Sequence, residues 1–271
     1  MFLTRRQGSQ PCKSDIFKVE REYMITYFYV DPKNVGKDSL RIEGEEAKHI
    51  CLVLRKGEGE IIDAVDGEGM KYQVQVTAKG KDWVQGKIIS QTRKENEPFT
   101  ELTLAQALIK GVRMDFLVEK VTEIGVSSII PLITGKGLIK LEKDSKVISR
   151  VSRWKRIAIS GMKQALRSKL PEIQDPVSFQ ELLAKVKDYD LALIACQAKG
   201  SKFLKEILEG KKGVKDVLLL VGPESGFTQE ELGLSLKSGI IPVSLGPRRL
   251  RSETAGIVFS SMVLHELEDL G

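Results

Sequence analysis

Two glycine- and proline-containing segments near the carboxyl end of the chain have the residue types best suited to binding a ligand. They are VGPESGF (221–227) and SLGPRRLRSETA (244–255), and each follows an apolar, strand-like run. Glycine and proline after a buried strand allow backbone N–H and C=O groups to face a flat ligand without intervening side chains. A third strand-end segment, ACQAKG (195–200), is expected to complete the rim of the same pocket.

The second of these segments also concentrates charge, since it contains Arg248, Arg249, Arg251 and Glu253. This density favours a binding or catalytic loop over an ordinary turn between a strand and a helix. Without those charges, the glycine and proline pattern is more typical of simple turns between strands and helices in an α/β domain.

Several classes of site lack their sequence signatures. There is no GxGxxG after a strand and no GxxxxGK[ST], which argues against dinucleotide binding and P-loop nucleotide binding. GPESG (222–226) is not GxSxG, so a nucleophile elbow is not supported. With two histidines, His49 and His265, and three separated cysteines, the sequence predicts neither a metal site nor a disulfide framework.

The basic charge of the chain is concentrated in one stretch. The 271 residues include 43 Lys and Arg against 37 Asp and Glu, a net charge of +6. Residues 136–172 contain eleven basic and three acidic side chains, a local charge of +8. Clustered Lys and Arg displace counterions from phosphates, so the stretch suggests a polyanionic partner. A solvated helix face that happens to be basic is the alternative.

The amino-terminal third is predicted to be a flexible tail followed by a small β-domain. Residues 1–23 show no sustained periodicity, and the strand-like run ITYFYV (25–30) follows them. Alternating and apolar segments between glycine turns then predict a small β-barrel or sandwich. The polar ENEPF (95–99) marks the boundary, so the first domain is assigned to 24–97.

Residues 98–271 are predicted to form an α/β domain with a parallel sheet. Strand-like runs at 102–108, 127–133, 191–195 and 217–221 alternate with helical segments. The helix over 147–165 places its apolar residues at helical spacing, with basic residues mostly between them. Ser178 with Glu181, and Thr228 with Glu231, fit capping boxes that open two further helices. Ligand-binding loops are expected at the carboxyl ends of the strands.

The loop motifs and several longer segments carry a family resemblance. LLLVGPESGFTQEEL (218–232) followed by PVSLGPRRLRSETAGI (242–257) resembles the signature of the 16S rRNA uridine-N3 methyltransferases, the ribosomal RNA small subunit methyltransferase E family. KGVRMDFLVEKVTEIGVSSIIPL (110–132), RWKRIAISGMKQALRSKLPEI (153–173) and HICLVLRKGEGEIIDAVDGEG (49–69) are similar to further segments of that family. The resemblance spans about residues 25–270.

The resemblance implies a fold and a methyl donor. The family belongs to the SPOUT superfamily, which implies a carboxyl-terminal α/β domain with a trefoil knot, preceded by a PUA-like RNA-binding β-barrel. S-adenosylmethionine (SAM) would lie bent in the knot against three strand-end loops, here 195–198, 221–226 and 245–252. The implied donor-binding residues are Ala195, Cys196, Gln197, Val221, Gly222, Pro223, Glu224, Gly226, Leu245, Gly246, Leu250 and Ser252.

The resemblance also implies partners. The expected substrate is 16S rRNA within the small ribosomal subunit, and the expected assembly is a homodimer in the cytoplasm. The candidates for RNA contact are Lys48, Arg55, Arg113, Arg153, Arg156, Lys163 and Arg167. For any one of these, a solvated surface charge is the alternative.

Methylation of uridine N3 requires loss of an imide proton, and two residues are candidates to assist. Arg251 is expected to stabilise negative charge on the uracil carbonyls, and Glu253 to orient Arg251 or to accept the proton. The alternative for Glu253 is a structural charge in the first turn of a helix. Two other functions remain open: a SPOUT ribose 2′-O-methyltransferase acting on tRNA or rRNA, and a non-enzymatic RNA-binding assembly protein.

Two places depart from the family pattern. After PLI (131–133) the chain reads TGKG (134–137), where the family often has a turn similar to Ser/Thr–Glu–Arg, so no substrate contact is carried over to that turn. Ser225 stands where the family commonly has glycine. A serine tolerates positive φ poorly, so we expect either an ordinary backbone at this position or a hydrogen bond from its side chain.

Overall fold

The computed structural model describes residues 26–137, 145–197, 201–209 and 213–271. The tail predicted at 1–23 therefore lies outside the described residues, as do Ile25 of the first predicted strand, Ala198 of the third loop and part of the basic stretch.

The first sheet has five strands and forms the amino-terminal β-domain. Its strands are β1 (Tyr27–Tyr29), β2 (Ser39–Glu43), β3 (Ile61–Val65), β4 (Met70–Lys79) and β5 (Trp83–Arg93). Their spatial order is β1-β3-β4-β5-β2, with a parallel β1–β3 pair and antiparallel pairs elsewhere. Register shifts in the β4–β5 pair occur between Gln73 and Val74 and between Val76 and Ala78. Such bulges bend a strand and help a small sheet to curl around its apolar core.

The second sheet has eight strands, and its pairs are all parallel within the described ranges. Its strands are β6 (Glu101–Ala107), β7 (Ser128–Ile133), β8 (Glu172–Ile173), β9 (Val177–Ser178), β10 (Leu191–Ala195), β11 (Lys202–Phe203), β12 (Asp216–Val221) and β13 (Ile241–Ser244). Their order is β11-β13-β10-β12-β6-β7-β8, and β9 pairs with β7. The predicted mixed α/β class with a parallel sheet is confirmed. The trefoil knot that the resemblance implies stays a prediction.

Seven α-helices connect or flank the strands among the described residues. They are α1 (Gly44–Lys48), α2 (Val112–Ile124), α3 (Ser145–Gln164), α4 (Phe179–Ala184), α5 (Leu204–Leu208), α6 (Gln229–Lys237) and α7 (Ser252–Glu266). Both predicted capping boxes are present, at the start of α4 and at the start of α6. A π-helical turn, His49–Val53, extends α1.

Apolar residues on both faces of the parallel sheet explain its continuous hydrophobic strands. On one face, Leu193 and Leu219 pack in the cluster that contains Trp154 of α3 and Phe259 of α7. On the other face, neighbouring strand residues such as Leu218 belong to the cluster that contains Phe179 and Phe227. A strand covered on both faces needs apolar side chains at successive positions, which is the pattern seen in 217–221.

The segment between the two sheets is held by charged contacts. Lys71 of β4 pairs with Glu95 at 2.8 Å, and the hydrogen bond from Lys71 holds the pKa of the Glu95 carboxyl below its ordinary value. Glu97 accepts hydrogen bonds from the Arg167 guanidinium at 2.7 and 3.0 Å and from the backbone N–H groups of Ser168 and Lys169. The polar stretch predicted as a boundary therefore makes specific contacts with the end of α3.

Candidate functional site

The three predicted loops meet at one edge of the parallel sheet. They follow β10, β12 and β13, and these strands are direct neighbours in the order β13-β10-β12. Because the strands are parallel, their carboxyl ends lie at the same edge, and the loops that leave them are brought together. The next strand beyond β12 is β6, which brings the loop after Ala107 to the same edge.

The loops enclose a cavity of about 570 Å³, within the range of about 300–1,000 Å³ typical of small-molecule sites. The twelve residues predicted for donor binding all line it. Seven further residues line it. Ser225, Arg248 and Arg249 lie within the predicted loops 221–226 and 245–252, whereas Phe227, Gln229, Leu232 and Ala255 lie outside those bounds. The arrangement brings the predicted residues together, and what they bind stays a prediction.

Two glycines leave open space along the cavity. Gly226 has φ +71° and Gly246 has φ +101°, and a Cβ added at either would have no heavy atom within 4 Å. Gly222 behaves differently, because its added Cβ would lie 3.1 Å from the ring of Phe227. Gly222 therefore allows close packing of the loop against Phe227, whereas Gly246 keeps the cavity free of a side chain.

Ser225 shows both features expected for this departure from the family pattern. It is not among the described residues with positive φ, and the left-handed position falls on Gly226 instead. The Ser225 hydroxyl donates to the Lys136 carbonyl at 3.0 Å. The serine thus ties the second loop to the segment that follows β7.

Side-chain hydrogen bonds connect the loops with one another and with β6. Gln197 Nε2 donates to the Gly246 carbonyl at 3.3 Å, which links the first loop to the third. Ser252 Oγ donates to the Gly222 carbonyl at 2.5 Å, and Gln106 Nε2 donates to Ser252 Oγ at 2.8 Å. Gln106 was not predicted from the sequence, although a glutamine in the apolar strand LTLAQAL was a signal that a buried polar contact was needed.

An ion pair joins a predicted RNA residue to a predicted donor residue. Arg113 Nη1 lies 2.7 Å from Glu224 Oε1, and both side chains are about one-third exposed. Arg249 adds a hydrogen bond of 3.2 Å to the Glu224 carbonyl oxygen. The carboxylate of Glu224 already has a cationic neighbour, and the first turn of α2 is fastened to the second loop.

The two predicted catalytic residues are not brought together. Arg251 is exposed at the position before α7, and it forms no ion pair with any residue that the structure describes. Glu253 is 6% exposed, does not line the cavity, and has a buried Oε2 without a hydrogen-bond partner among those same residues. Within the described residues, the structure shows no ion pair or hydrogen bond by which Glu253 would orient Arg251, and the role of Glu253 as proton acceptor stays a prediction. Its place in the first turn of α7 is the one that the helix dipole favours for a carboxylate.

Two of the predicted RNA contacts have structural partners instead. Arg167 is 2% exposed, pairs with Glu97, and also donates to the carbonyls of Thr122 and Val126. Lys163 pairs with Glu46 of α1, which joins α3 to the β-domain. The assignment of Arg167 to the RNA surface is wrong because a guanidinium buried with three acceptors cannot reach a phosphate. Lys163 is half-buried and is already engaged.

The remaining RNA candidates lie on the surface. Arg153 and Arg156 are exposed on α3, and Arg153 bonds to Asp115 of α2. Lys48 pairs with Glu45 at 2.7 Å, and Arg55 is exposed with φ +55°. Arg156 and Arg55 make no ion pair within the described ranges, so their charge is free to meet an anion.

A second cavity, of about 530 Å³, lies where the loop after β6 meets α2 and α3. Its lining includes three cations, Lys110, Arg150 and Arg153, against one acid, Asp115. Lys110 and Arg150 form no ion pair with a described residue. Val112 lines this cavity, and its chain neighbour Arg113 contacts Glu224 at the rim of the first cavity. The two cavities are therefore neighbours.

Two other kinds of site are absent from the part of the chain that the structure describes. No group of three His, Cys, Asp or Glu side chains could hold a metal ion there. Likewise, none of the helices in those ranges has the length and apolar character needed to cross a membrane.

Comparison with known sequences matches both parts of the chain. Residues 95–264 match the family model of an RNA methyltransferase domain, and residues 42–89 match that of an RNA methyltransferase PUA domain. The chain is 31% identical over 232 residues to the ribosomal RNA small subunit methyltransferase E of Bacillus subtilis, covering 84% of this chain and 90% of that protein.

Solved structures give the same result. A methyltransferase from Legionella pneumophila in complex with bound SAM has a TM-score of 0.78 and 32% identity, covering 89% of this chain and 97% of that one. A ribosomal RNA small subunit methyltransferase E from Neisseria gonorrhoeae bound to SAM has a TM-score of 0.78 and 27% identity, with the same coverage.

Proposed function

The chain belongs to the ribosomal RNA small subunit methyltransferase E family, and from this premise we propose that it transfers a methyl group from SAM to N3 of one uridine in 16S rRNA. The observation that carries the proposal is the meeting of three loops, from the neighbouring strands β13, β10 and β12, around one cavity. The Legionella pneumophila and Neisseria gonorrhoeae structures named above hold SAM, and they share this fold over 89% of the chain.

The residues around the cavity fit a flat, largely uncharged group such as an adenosine. The lining combines apolar side chains, among them Val221, Leu245 and Leu250, with glycines that expose the backbone. Open space beside Gly226 and Gly246 lets a ligand approach backbone N–H and C=O groups directly. SAM would supply an activated methyl group on a sulfonium. The chain would hold it through the twelve predicted residues.

Arg251 is the residue that we assign to the chemistry at the uracil. Loss of the N3 proton to solvent leaves negative charge on N3 and the neighbouring carbonyl oxygens until N3 accepts the methyl group, and a fixed cation stabilises that charge. Arg251 suits the role because it is exposed, lies directly before Ser252 of the cavity wall, and has no ion-pair partner among the described residues. Positioning of the reacting atoms supplies a further part of the rate.

The RNA is proposed to reach the donor cavity across the second cavity. Lys110, Arg150 and Arg153 give its wall an excess of positive charge, and a phosphodiester is the anion that an RNA substrate brings. The Arg113–Glu224 pair stands between the two cavities, at the point where a base would have to leave the strand to meet the methyl donor. Arg156 on α3, with Lys48 and Arg55 of the β-domain, extends the proposed surface.

The cellular context is part of the same proposal. The family name supports the small ribosomal subunit as the substrate and the cytoplasm as the place of action. A homodimer is supported by Val112 and Phe116, two apolar side chains four residues apart on α2 that are 72% and 49% exposed. The division into a tail (1–23), a PUA-like barrel (24–97) and a SPOUT domain (98–271) is retained as a proposal.

The experiment that tests the proposed function combines binding with transfer. Titration calorimetry of the full chain with SAM should show one saturable site per chain. Radiolabelled methyl transfer should then proceed to small subunits that lack the modification and fail on subunits that carry it. Binding of SAM without methyl transfer would contradict the proposed reaction. Binding of RNA without binding of SAM would favour a non-enzymatic assembly protein.

A further inference from the structure

We infer that Gln106 is a positioning residue that keeps two of the three donor loops in their binding shape, although it does not itself line the cavity. The inference rests on the proposed function, because it takes the cavity of the three loops as the donor pocket. It adds a residue that neither the loop motifs nor the charge pattern indicated.

The side chain of Gln106 begins a directed chain of hydrogen bonds. Its Nε2 lies 2.8 Å from Ser252 Oγ, and Ser252 Oγ lies 2.5 Å from the Gly222 carbonyl oxygen. A carbonyl oxygen only accepts, so the hydroxyl of Ser252 must donate to Gly222. The hydroxyl then has a lone pair free for the amide of Gln106, and this fixes the amide as the donor.

The chain of hydrogen bonds joins three segments that are far apart in the sequence. Gln106 is paired in register with Val221, the last residue of β12, and Gly222 is the first residue of the second loop. Ser252 ends the third loop and begins α7. One amide on the rigid sheet therefore fixes where the second loop starts and where the third loop ends. Gly222 and Ser252 both line the donor cavity.

The surroundings of Gln106 show that its amide is an exception in its strand. Gln106 is fully buried, and so are Leu104, Ala105 and Ala107 around it. Burial of an amide costs free energy unless its groups are hydrogen-bonded, and the Oε1 of Gln106 has no partner in the described part of the chain. An apolar side chain would fill this place without that cost. Gln106 Nε2 donates to the Ala107 carbonyl of its own strand at 3.2 Å and to Ser252 Oγ at 2.8 Å. Only the shorter of these two bonds reaches the loops, and it is the one that we take to explain a buried amide at this position.

Gly256 leaves the room that the amide needs. A Cβ at this position would lie 2.6 Å from Gln106 Oε1 and 2.7 Å from Leu117 Cδ1. Gly256 is buried one turn along α7 from Ser252, so α7 can pack directly against the amide. A side chain at 256 would push the amide away from Ser252. This gives a second way to break the same contact.

The test is a double-mutant cycle on the full chain. Gln106→Met keeps the length of the side chain and removes the donor, and Ser252→Ala removes the hydroxyl. Each should weaken SAM binding, measured by calorimetry, by roughly three- to tenfold, the worth of one hydrogen bond. Both changes break the same chain of hydrogen bonds, so their effects on SAM affinity should not add. The double variant should bind SAM at most about twofold more weakly than the single variant with the lower affinity.

Kinetics separate positioning from loss of structure. In the Gln106→Met variant, KM for SAM should rise while KM for small subunits stays unchanged. Thr103→Val is the matched control, since Thr103 is another buried polar residue of β6, and it should leave SAM affinity unchanged. If Gln106→Met does not fold, Gly256→Ala is the second variant. Its added methyl group should displace the Gln106 amide from Ser252, and KM for SAM should again rise while KM for small subunits stays unchanged.

Two results would overturn the inference: wild-type SAM affinity in the folded Gln106→Met variant, or fully additive effects in the cycle. Failure of the proposed function looks different, because the unaltered chain itself would then bind no SAM.

Discussion

The guanidinium of Arg113 and the carboxylate of Glu224 form an ion pair of 2.7 Å that ties the first turn of α2 to the second donor loop. The pair lies between the donor cavity and the cationic second cavity, so it connects the two halves of the proposed reaction. Glu224 is one of the residues predicted to bind the donor, and its charge is already partly balanced by Arg113.

Glu224→Gln tests whether the carboxylate of Glu224 favours binding of the positively charged sulfonium of SAM. Removal of the carboxylate leaves Arg113 as an uncompensated cation near the sulfonium. We expect the affinity for SAM to fall relative to that for S-adenosylhomocysteine, which lacks the positive sulfur. Exposed ion pairs contribute up to about 1 kcal/mol, so the ratio should fall by up to about fivefold. Calorimetric titration with both ligands measures the ratio. An unchanged ratio would mean that Glu224 does not sense the sulfonium.

Gly246→Ala tests the placement of the donor. The added methyl group would enter open space along the cavity, and we expect SAM affinity to fall by about tenfold or more. Gly239→Ala is a matched control, because Gly239 also has positive φ, +82°, with open space at its Cβ, and does not line the cavity. Both variants bear the same kind of backbone strain. Equal SAM affinities in the two variants would contradict the proposal that SAM binds in this cavity.

Arg251→Ala tests the assignment of charge stabilisation. Removal of a group that stabilises charge in the transition state lowers kcat by about 10²- to 10³-fold. Binding of SAM and of small subunits should remain within about twofold of the original values, since Arg251 does not line the donor cavity. Single-turnover methyl transfer measures the chemical step. A variant with full turnover would show that Arg251 has no part in it.

Arg150→Gln combined with Arg156→Gln tests the RNA surface. Removal of each phosphate-binding cation should flatten the log–log dependence of affinity on salt by about 0.7–0.9, so the double variant should show a slope that is smaller by about one to two units. Lys185→Gln with Lys187→Gln is the control, because these exposed lysines precede β10, at the opposite edge of the sheet from the loops. If both double variants kept the original slope, α3 would be only a solvated basic face.

Arg167→Gln separates a structural arginine from an RNA-binding one. Removal of one partner from the buried pair with Glu97 leaves a buried carboxylate and should cost about 3–5 kcal/mol of unfolding free energy. Arg156→Gln, at an exposed position of the same basic stretch, should change it by no more than about 0.5 kcal/mol. Urea denaturation measures both. Equal stabilities of the two variants would contradict the structural role of Arg167.

Local patterns were sufficient to predict most of the parallel sheet. The runs LALIA and VLLLV form β10 and β12, and Ser178 and Thr228 cap helices as their spacing with Glu181 and Glu231 predicted. These features depend on residues close in sequence, which a pattern can reveal. Strand β2 and helix α1 were not predicted. The segment SLRIEGEEAK has few apolar residues, and its place is fixed by pairing with β5.

Contacts between distant residues explain why parts of the site could not be predicted. Arg167 pairs with Glu97, 70 positions away, and Lys163 pairs with Glu46, 117 positions away. The count of basic residues in 136–172 therefore overestimated how many of them are free to bind RNA. Gln106 and Ser252 are 146 positions apart, and nothing in a single sequence connects them. The three loops could be located from the sequence because glycine and proline mark a turn wherever the fold places it, and the structure brings the three loops around one cavity.

The most direct measurement is the identity of the methylated nucleoside. Small subunits that lack the modification are incubated with the enzyme and SAM, and their 16S rRNA is digested to nucleosides for mass spectrometry. We predict N3-methyluridine at about one residue per subunit, and an initial rate lower by about tenfold or more with the Gly246→Ala variant at limiting SAM. A ribose-methylated nucleoside, or no methylated nucleoside despite SAM binding, would contradict the proposed function.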